Sequence, residues 1–302
     1  MSLRNVPLSY FAGLDAVPEP LQGNFLAEFA ANGVTHISLG VAWCQQMLAT
    51  PAMADKLVKR LADFGLQPGG MHGPWGPGHD ITITDLDRRP YMVAEHQALL
   101  KLAGDLGLKT YTIHPHAGFE PTRRNDEQLH RLAVEALEQM LPHAEKSRVV
   151  IAVENNFTPI TTSDRLLAMI RPFASPWLGL CYDAGHAHIL ESAPGKTFAD
   201  IAPISHWAMY PQEFHDGQLE QMAPELVTCH LHDNAGLTDS HLTPGLGTID
   251  WQRVMGIISQ CPRLLEMHCE VSIIPKQVPV RTVCEVFSTD FLAGKIPHPK
   301  PL

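Results

Sequence analysis

At 302 residues, 45% of them hydrophobic, the chain is long enough to bury the core of one large α/β domain. Its 22 Lys and Arg face 32 Asp and Glu, a net charge of −10, which disfavours a partner bound through phosphate charge, nucleic acid above all. No apolar stretch reaches the roughly 18–20 residues of a membrane span, and the first ten residues lack a signal-peptide apolar region, so a cytoplasmic protein with no membrane partner is expected.

Leu8–Ala12 reads as the first strand, with a helix around Leu21–Asn32 after it. Thr35–Gly40 is the second strand, followed by a helix near Ala52–Phe64. A third strand runs to His72, and Met92, Leu99, Leu102, Ala103 and Leu106 then recur at helical spacing within Arg88–Leu106. The strand to His114 is followed by a helix over Asn125–Lys146, and Ser163 or Asp164 is expected to cap the next. GTID leads into a helix at Trp251–Ile258 capped by Asp250, and Val278–Leu292 is the last. The six cysteines form no CxxC and read as reduced packing residues.

Six apolar runs end in His or an acid: GLQPGGMH at His72, LKTYTIH at His114, VVIAVE at Glu154, LGLCYD at Asp183, ELVTCH at His230 and LLEMHCE at Glu270. The intervals, 42, 40, 29, 47 and 40 residues, suit one strand and its crossover helix. About eight such repeats without a linker or composition break predict an α/β fold, a (β/α)8 TIM barrel, with residues 1–302 as a single domain. An open doubly wound sheet has no GxGxxG or P-loop here to support it. The longest interval, Asp183 to His230, contains APGKTF and AMYPQEFHDG and reads as an extended loop plus helix that covers the site.

Strand-end residues of a parallel barrel converge at one mouth. Two carboxylates there, Glu154 and Glu270, would repel unless a cation lies between them, so the pair reads as metal-bridging. Asp183 and His186, in D-A-G-H, are expected to face one centre across a tight turn made by Gly185. His230 and His232 share a strand face. His230 is favoured as ligand and His232 as a pocket neighbour, with Asp233 turned away. In the Gly- and Pro-rich segment DSHLTPGLGTIDW, Asp239 and His241 reach the same centre, and Gly245 and Gly247 permit turns. Trp75 and Trp43 are candidate pocket walls, and the remaining histidines His36, His96, His130, His143 and His298 read as packing or surface residues.

The ordered series MHGP, TIHP, AVEN, CYDAGHA, HLHDNAG, DSHLTPGLGTIDW and CEVS resembles the xylose-isomerase-like barrel superfamily, most strongly from Met71 to Val271. That superfamily holds sugar isomerases and epimerases and the endonuclease-IV-type apurinic endonucleases. The resemblance to the epimerases implies one divalent ion (Mn, Mg, Co or Zn) held by Glu154, Asp183, His230 and Glu270. Glu154 and Glu270 would be the catalytic acid and base, acting through an enediolate. His186 would orient a hydroxyl, Trp75 would stack on the sugar, and His232 would line the pocket. The resemblance to the endonucleases implies the same four plus His72, His114, His186, Asp239 and His241 around as many as three Zn ions. All nine positions are filled here.

A metal-dependent sugar isomerase or epimerase ranks first, a trinuclear zinc phosphoesterase second and a non-catalytic binder last. HGPWGPGHD and HDNAGLTDSHLTPGLG contain no Lys or Arg, which weakens nucleic acid and phosphorylated sugar alike. Arg123, Arg124, Lys276 and Arg281 are the only basic residues expected near the mouth. Related barrels often form homo-oligomers, but no interface is legible in the string.

Overall fold

A computed structural model describes residues 3–117, 125–201, 213–287 and 290–293. Eight parallel strands close into a barrel in chain order: β1 (Leu8–Tyr10), β2 (His36–Leu39), β3 (Gln67–His72), β4 (Thr110–Ile113), β5 (Val150–Glu154), β6 (Leu178–Asp183), β7 (Leu226–Leu231) and β8 (Met267–Cys269). Closure is made by β1 against β8, where Leu8 is in register with Met267 and Tyr10 with Cys269. The helices are α1 (Glu19–Ala31), α2 (Val41–Ala49), α3 (Ala52–Ala62), α4 (Arg89–Asp105), α5 (Asp126–Ser147), α6 (Ser163–Ile170), α7 (Ala184–Leu190), α8 (Gln218–Met222), α9 (Trp251–Ile258) and α10 (Val280–Val286).

The helices bury their apolar stripes against the strands. On α5, Leu129, Leu132, Ala133, Ala136, Leu137, Met140 and Ala144 form that stripe, and Asn125 caps the helix by accepting from Gln128 N at 3.1 Å. Asp250 caps α9 in the same way, accepting from Arg253 N at 3.0 Å. Inside the barrel the side chains alternate. One side of the interior is an apolar cluster of Val150, Ala152, Cys181 and Val227. The other is polar: His268 Nδ1 lies 2.5 Å from Ser9 Oγ and 2.8 Å from Ser38 Oγ, and Thr110 donates to Glu266. Burial, then the neighbouring His230 and His72, hold the His268 imidazole well below its ordinary range. All six cysteines are free, and all but Cys284 are buried.

Four local expectations are corrected. Helix α2 is absent from the expected elements because its N-cap is Gly40, with no capping side chain, although Trp43, Cys44 and Met47 bury one face at helical spacing. Strand β1 ends at Tyr10 rather than Ala12. The cap of α6 is Thr162, not Ser163 or Asp164; Asp164 instead accepts from Thr162 Oγ1 at 2.6 Å. Helix α10 is shorter than Val278–Leu292, because Pro279, extended at φ −61° and ψ 134°, stands at its start. Arg123, Arg124, His298 and residues 202–212 of the long loop after β6 lie outside the described residues. Among the described residues no helix is long and apolar enough to cross a membrane.

Candidate metal centre

Six strand ends place six side chains at one end of the barrel. His72, Glu154 and Asp183 end their strands, His114 and Glu270 follow theirs by one residue, and His230 is next to last in β7. Asp183 is the register partner of His230, so those two stand side by side on neighbouring strands. His230 Nδ1 lies 3.1 Å from Glu154 Oε1, 3.4 Å from Glu270 Oε2 and 3.7 Å from Asp183 Oδ2. One imidazole nitrogen therefore gathers three carboxylates. Burial alone would lower its pKa, but Glu154 and Glu270 outweigh burial and raise it to about 9.

Glu154 is the hub. It is 1% exposed and meets four imidazoles. Its Oε2 lies 3.2 Å from His72 Nε2 and 3.1 Å from His114 Nε2, and its Oε1 lies 3.1 Å from His230 Nδ1 and 3.5 Å from His186 Nδ1. Burial pushes its carboxyl up, but His230 and His114 overcome that and hold it well below the usual carboxylate range. Asp183 is likewise held down to about 2, with His186 and His232 outweighing its burial.

Of the outer set, His72 and His114 stand at strand ends, His186 lies in α7, and Asp239 and His241 sit on the loop after β7. Asp183 caps α7, accepting from His186 N at 2.6 Å, which fixes the His186 ring beside it. His186 Nε2 and His241 Nε2 both approach Asp239 Oδ2, at 3.5 and 3.1 Å. Asp239 is held far below its ordinary value because these two imidazoles outweigh burial. His241 adopts φ 44°, a left-handed conformation uncommon outside glycine, and burial there is outweighed by Asp239, raising its imidazole to about 9. Its ring stacks on His232 at 3.8 Å and 12°.

The donor chemistry fits a divalent cation. His72, His186 and His241 each turn Nδ1 to a backbone carbonyl, of Gly73 at 2.8 Å, Asn155 at 2.9 Å and Glu270 at 2.8 Å. That leaves Nε2 facing the centre, the usual orientation of a ligating imidazole. His230 Nε2, His232 Nδ1 and Asp239 Oδ1 are buried and find no hydrogen-bond partner among the described residues. Donor atoms of His72, His114 and Glu154 lie within 4.8 Å of one another, as do those of Glu154, Asp183 and His186, and of His232, His241 and Glu270.

A cavity of about 390 Å³ opens above these groups. His72, Trp75, His114, Glu154, His186, Asp239, His241 and Glu270 line it, with Phe11 and Phe157 as further aromatic walls. Trp75 leans over His114 at 5.5 Å. Asp183 and His230 lie beneath the floor rather than in the wall. Two expectations are corrected here. His232 does not line the pocket; it is wholly buried behind His241, its Nε2 3.0 Å from Asp183 Oδ2. Trp43 borders a second, adjoining cavity instead.

Gly185 serves packing rather than a turn, since a Cβ there would lie 2.0 Å from the His232 ring. Gly245 does turn, at φ 90°, whereas Gly247 is needed because a Cβ would sit 2.2 Å from Asp233 Oδ1. Asp233, read only as turned away, anchors the loop that carries Asp239 and His241. It accepts from Gly245 N at 2.7 Å, Trp251 Nε1 at 2.9 Å and Ile249 N at 3.3 Å, and its backbone pairs with Leu242 at 2.8 Å. Phe11 carries no functional signal of its own in the sequence, because an apolar residue at a strand end looks like core. The alternation Ser9, Phe11, which runs one residue past the end of β1, is the one available signal. Lys276 is exposed and Arg281 pairs with Glu285 along α10, and neither lines the cavity above the centre or the second one beside it.

Residues 26–276 match the family model described as xylose isomerase-like TIM barrel. A relative in Sinorhizobium fredii, the uncharacterized protein y4fM, is 27% identical over 250 residues, covering 75% of this chain and 73% of that one. The solved structure of a D-tagatose 3-epimerase-like protein is similar at TM-score 0.72 and 15% identity, over 95% of this chain and 97% of that one. D-psicose 3-epimerase of Clostridium cellulolyticum H10 is similar at TM-score 0.67 and 12% identity, over 88% and 84%. IOLI protein, solved with a bound zinc atom, is similar at TM-score 0.68 and 16% identity, over 95% and 98%.

Proposed function

The chain belongs to the xylose isomerase-like TIM barrel family, and on that footing we propose that it is a divalent-metal-dependent sugar isomerase or epimerase. The observation that carries this reading is the convergence of Glu154, Asp183 and Glu270 on His230 Nδ1, beneath a cavity with aromatic walls. These four residues would hold the metal. When bound, a divalent cation polarises the two adjacent oxygens of an α-hydroxy-carbonyl sugar, lowering the cost of removing the neighbouring carbon-bound proton.

The chain's own groups do the rest. Glu154 and Glu270 exchange protons with that carbon as base and acid, so the substrate passes through an enediolate; positioned transfer of this kind is worth ~10²–10⁴-fold. His186, at the cavity wall, orients a hydroxyl, and its Nδ1–H···O=C bond to Asn155 keeps Nε2 toward the pocket. Trp75 and Phe157 cover the apolar face of the sugar and exclude water. No Lys or Arg borders the cavity among the described residues, which favours a neutral sugar over a phosphorylated one and over DNA.

A second reading, a trinuclear zinc phosphoesterase, is favoured by one observation: His72, His114, His186, Asp239 and His241 stand around the inner four in donor sets within reach of further ions. Metal analysis of protein purified without added metal, together with solvent-deuterium incorporation into a panel of ketoses and aldoses, separates the two. The first reading expects about one exchangeable ion per chain and exchange at a carbon beside the carbonyl. Three tightly bound zinc ions with cleavage of abasic DNA would sink it. Glu270→Gln should abolish turnover in either case, whereas His241→Ala loses an ion only in the trinuclear protein.

A further inference from the structure

We propose that Asn155, the first residue after β5, is a positioning residue of the metal centre: its side chain fixes the main chain of Asp183, and its carbonyl fixes the ring of His186. This rests on the metal-dependent reading above. Asn155 is wholly buried and lines neither cavity, so it acts on the centre only through the groups it holds.

The ladder between β5 and β6 ends in the register pair Glu154 and Cys181, with one longer bond beyond it, from Asn155 N to Cys181 O at 3.4 Å. The Asn155 carboxamide then takes over. Its Oδ1 accepts from Asp183 N at 2.8 Å, and its Nδ2 donates to Asp183 O at 3.1 Å. One side chain thus closes both main-chain groups of Asp183 at a strand end, where a buried N–H or C=O needs a partner. His186 completes a circuit: its N donates to Asp183 Oδ1 at 2.6 Å and its Nδ1 to Asn155 O at 2.9 Å. The circuit holds both residues on one side of Glu154. His186 Nδ1 lies 3.5 Å from Glu154 Oε1, and His230 Nδ1, 3.1 Å from that same oxygen, is 3.7 Å from Asp183 Oδ2.

Side-chain chemistry singles out asparagine here. The place needs a donor and an acceptor side by side on one planar group, which at neutral pH only Asn and Gln carry. Gln would carry the pair one carbon further, and Asp would set an oxygen against the Asp183 carbonyl. The amide's orientation is dictated as well, since Asp183 N can only donate and Asp183 O only accept. Asn234 offers the contrast of a buried asparagine with a purely structural place. Its Nδ2 donates to Gly185 O at 2.9 Å, in the same helix α7, and its Oδ1 accepts from Gly236 N at 2.7 Å; neither bond reaches a side chain of the centre. A ligand set has to be held to within about 0.5 Å, and residues that hold ligands in place typically contribute about tenfold to a hundredfold in metal affinity.

The test measures the affinity of metal-stripped protein for manganese and zinc ions by equilibrium dialysis, with melting temperature beside it, in the wild type, Asn155→Ala, Asn155→Ser and Asn234→Ala. Asn155→Ala should lose about tenfold to a hundredfold in affinity for the inner ion. Asn155→Ser, whose hydroxyl is too short to span both groups, should lose at least about tenfold and keeps the test open should Asn155→Ala misfold. Asn234→Ala should melt lower yet keep the affinity of the wild type. A smaller loss in either folded Asn155 variant would overturn the inference. So would an equal loss in Asn234→Ala, which would assign the effect to the packing of α7. Solvent-deuterium incorporation into the sugar panel keeps the function separate: no exchange in the wild type sinks the proton-transfer reading, while the affinities still decide Asn155. A wild type that binds neither ion overturns both.

Discussion

Strands β3 to β8 bring His72, His114, Glu154, Asp183, His230 and Glu270 to the barrel mouth, whereas β1, β2 and the segment after Glu270 bring Phe11, Gly40 and the apolar wall of the second cavity. The first arc is a buried array of charge that the protein stabilises only by mutual pairing. The second is ordinary apolar packing around a space. A charged arc is costly to keep and functional sites are where such costs are met, so the arcs should answer differently to substitution: chemistry and metal on one side, substrate choice on the other.

The largest effect that could break this contrast is at Glu154. Replacing it with Gln leaves His72, His114, His186 and His230 without the carboxylate they share, and should lower the exchange rate by at least about 10³-fold while stripping the inner ion. A Glu154→Gln protein within tenfold of wild type, with full metal content, would remove the charged arc from the chemistry.

A second test is pH. The His230 imidazole is raised from 6.5 to about 9, so its pairing stabilises the metal-free fold in full below about pH 6.5 and is lost as pH rises through about 9. Metal needs the deprotonated ring and should move the other way, its apparent affinity growing about tenfold per pH unit across that window for each proton released. Melting temperatures of metal-free protein and metal titrations at pH 6, 7.5 and 9 check both signs. At the acid end, Asp183, held down to about 2, contributes stability above its ordinary 3.8 that disappears as pH falls through about 2.

The smallest expected effect is at Asp233, which belongs to neither arc but holds the loop bearing Asp239 and His241. Asp233→Ala removes acceptors for Gly245 N and Trp251 Nε1 and should cost about 1–3 kcal/mol, a drop of several degrees in melting temperature. Because only the loop is loosened, the inner ion should stay bound. Loss of that ion on equilibrium dialysis would show that the two arcs depend on the loop between them.

The elements differ in how legible they are from the sequence. The spacing of LKTYTIH, VVIAVE and LGLCYD made the parallel strands legible, because a buried strand is a short apolar run whatever surrounds it. Helix α2 was missed for want of a capping residue, and the cap of α6 was placed one or two residues late. The polar pair Glu154 and Asp183 stood out because a carboxylate at the end of an apolar run needs a partner. Phe11 did not, since an apolar side chain there needs none.

What the sequence determined by itself was periodicity: the eightfold strand–helix alternation, and the delivery of His, Asp and Glu to a single end of the barrel. Both follow from local pattern together with parallel topology. Tertiary structure alone decided that Glu154 is the hub of four imidazoles, that His232 is sealed behind His241 over Gly185, and that Phe11, Trp43 and Ile273 wall one space. All of those contacts but the His232–His241 stack join residues far apart in the chain, and only closure of β8 onto β1 brings the walls of the second cavity together, so no local pattern could announce them.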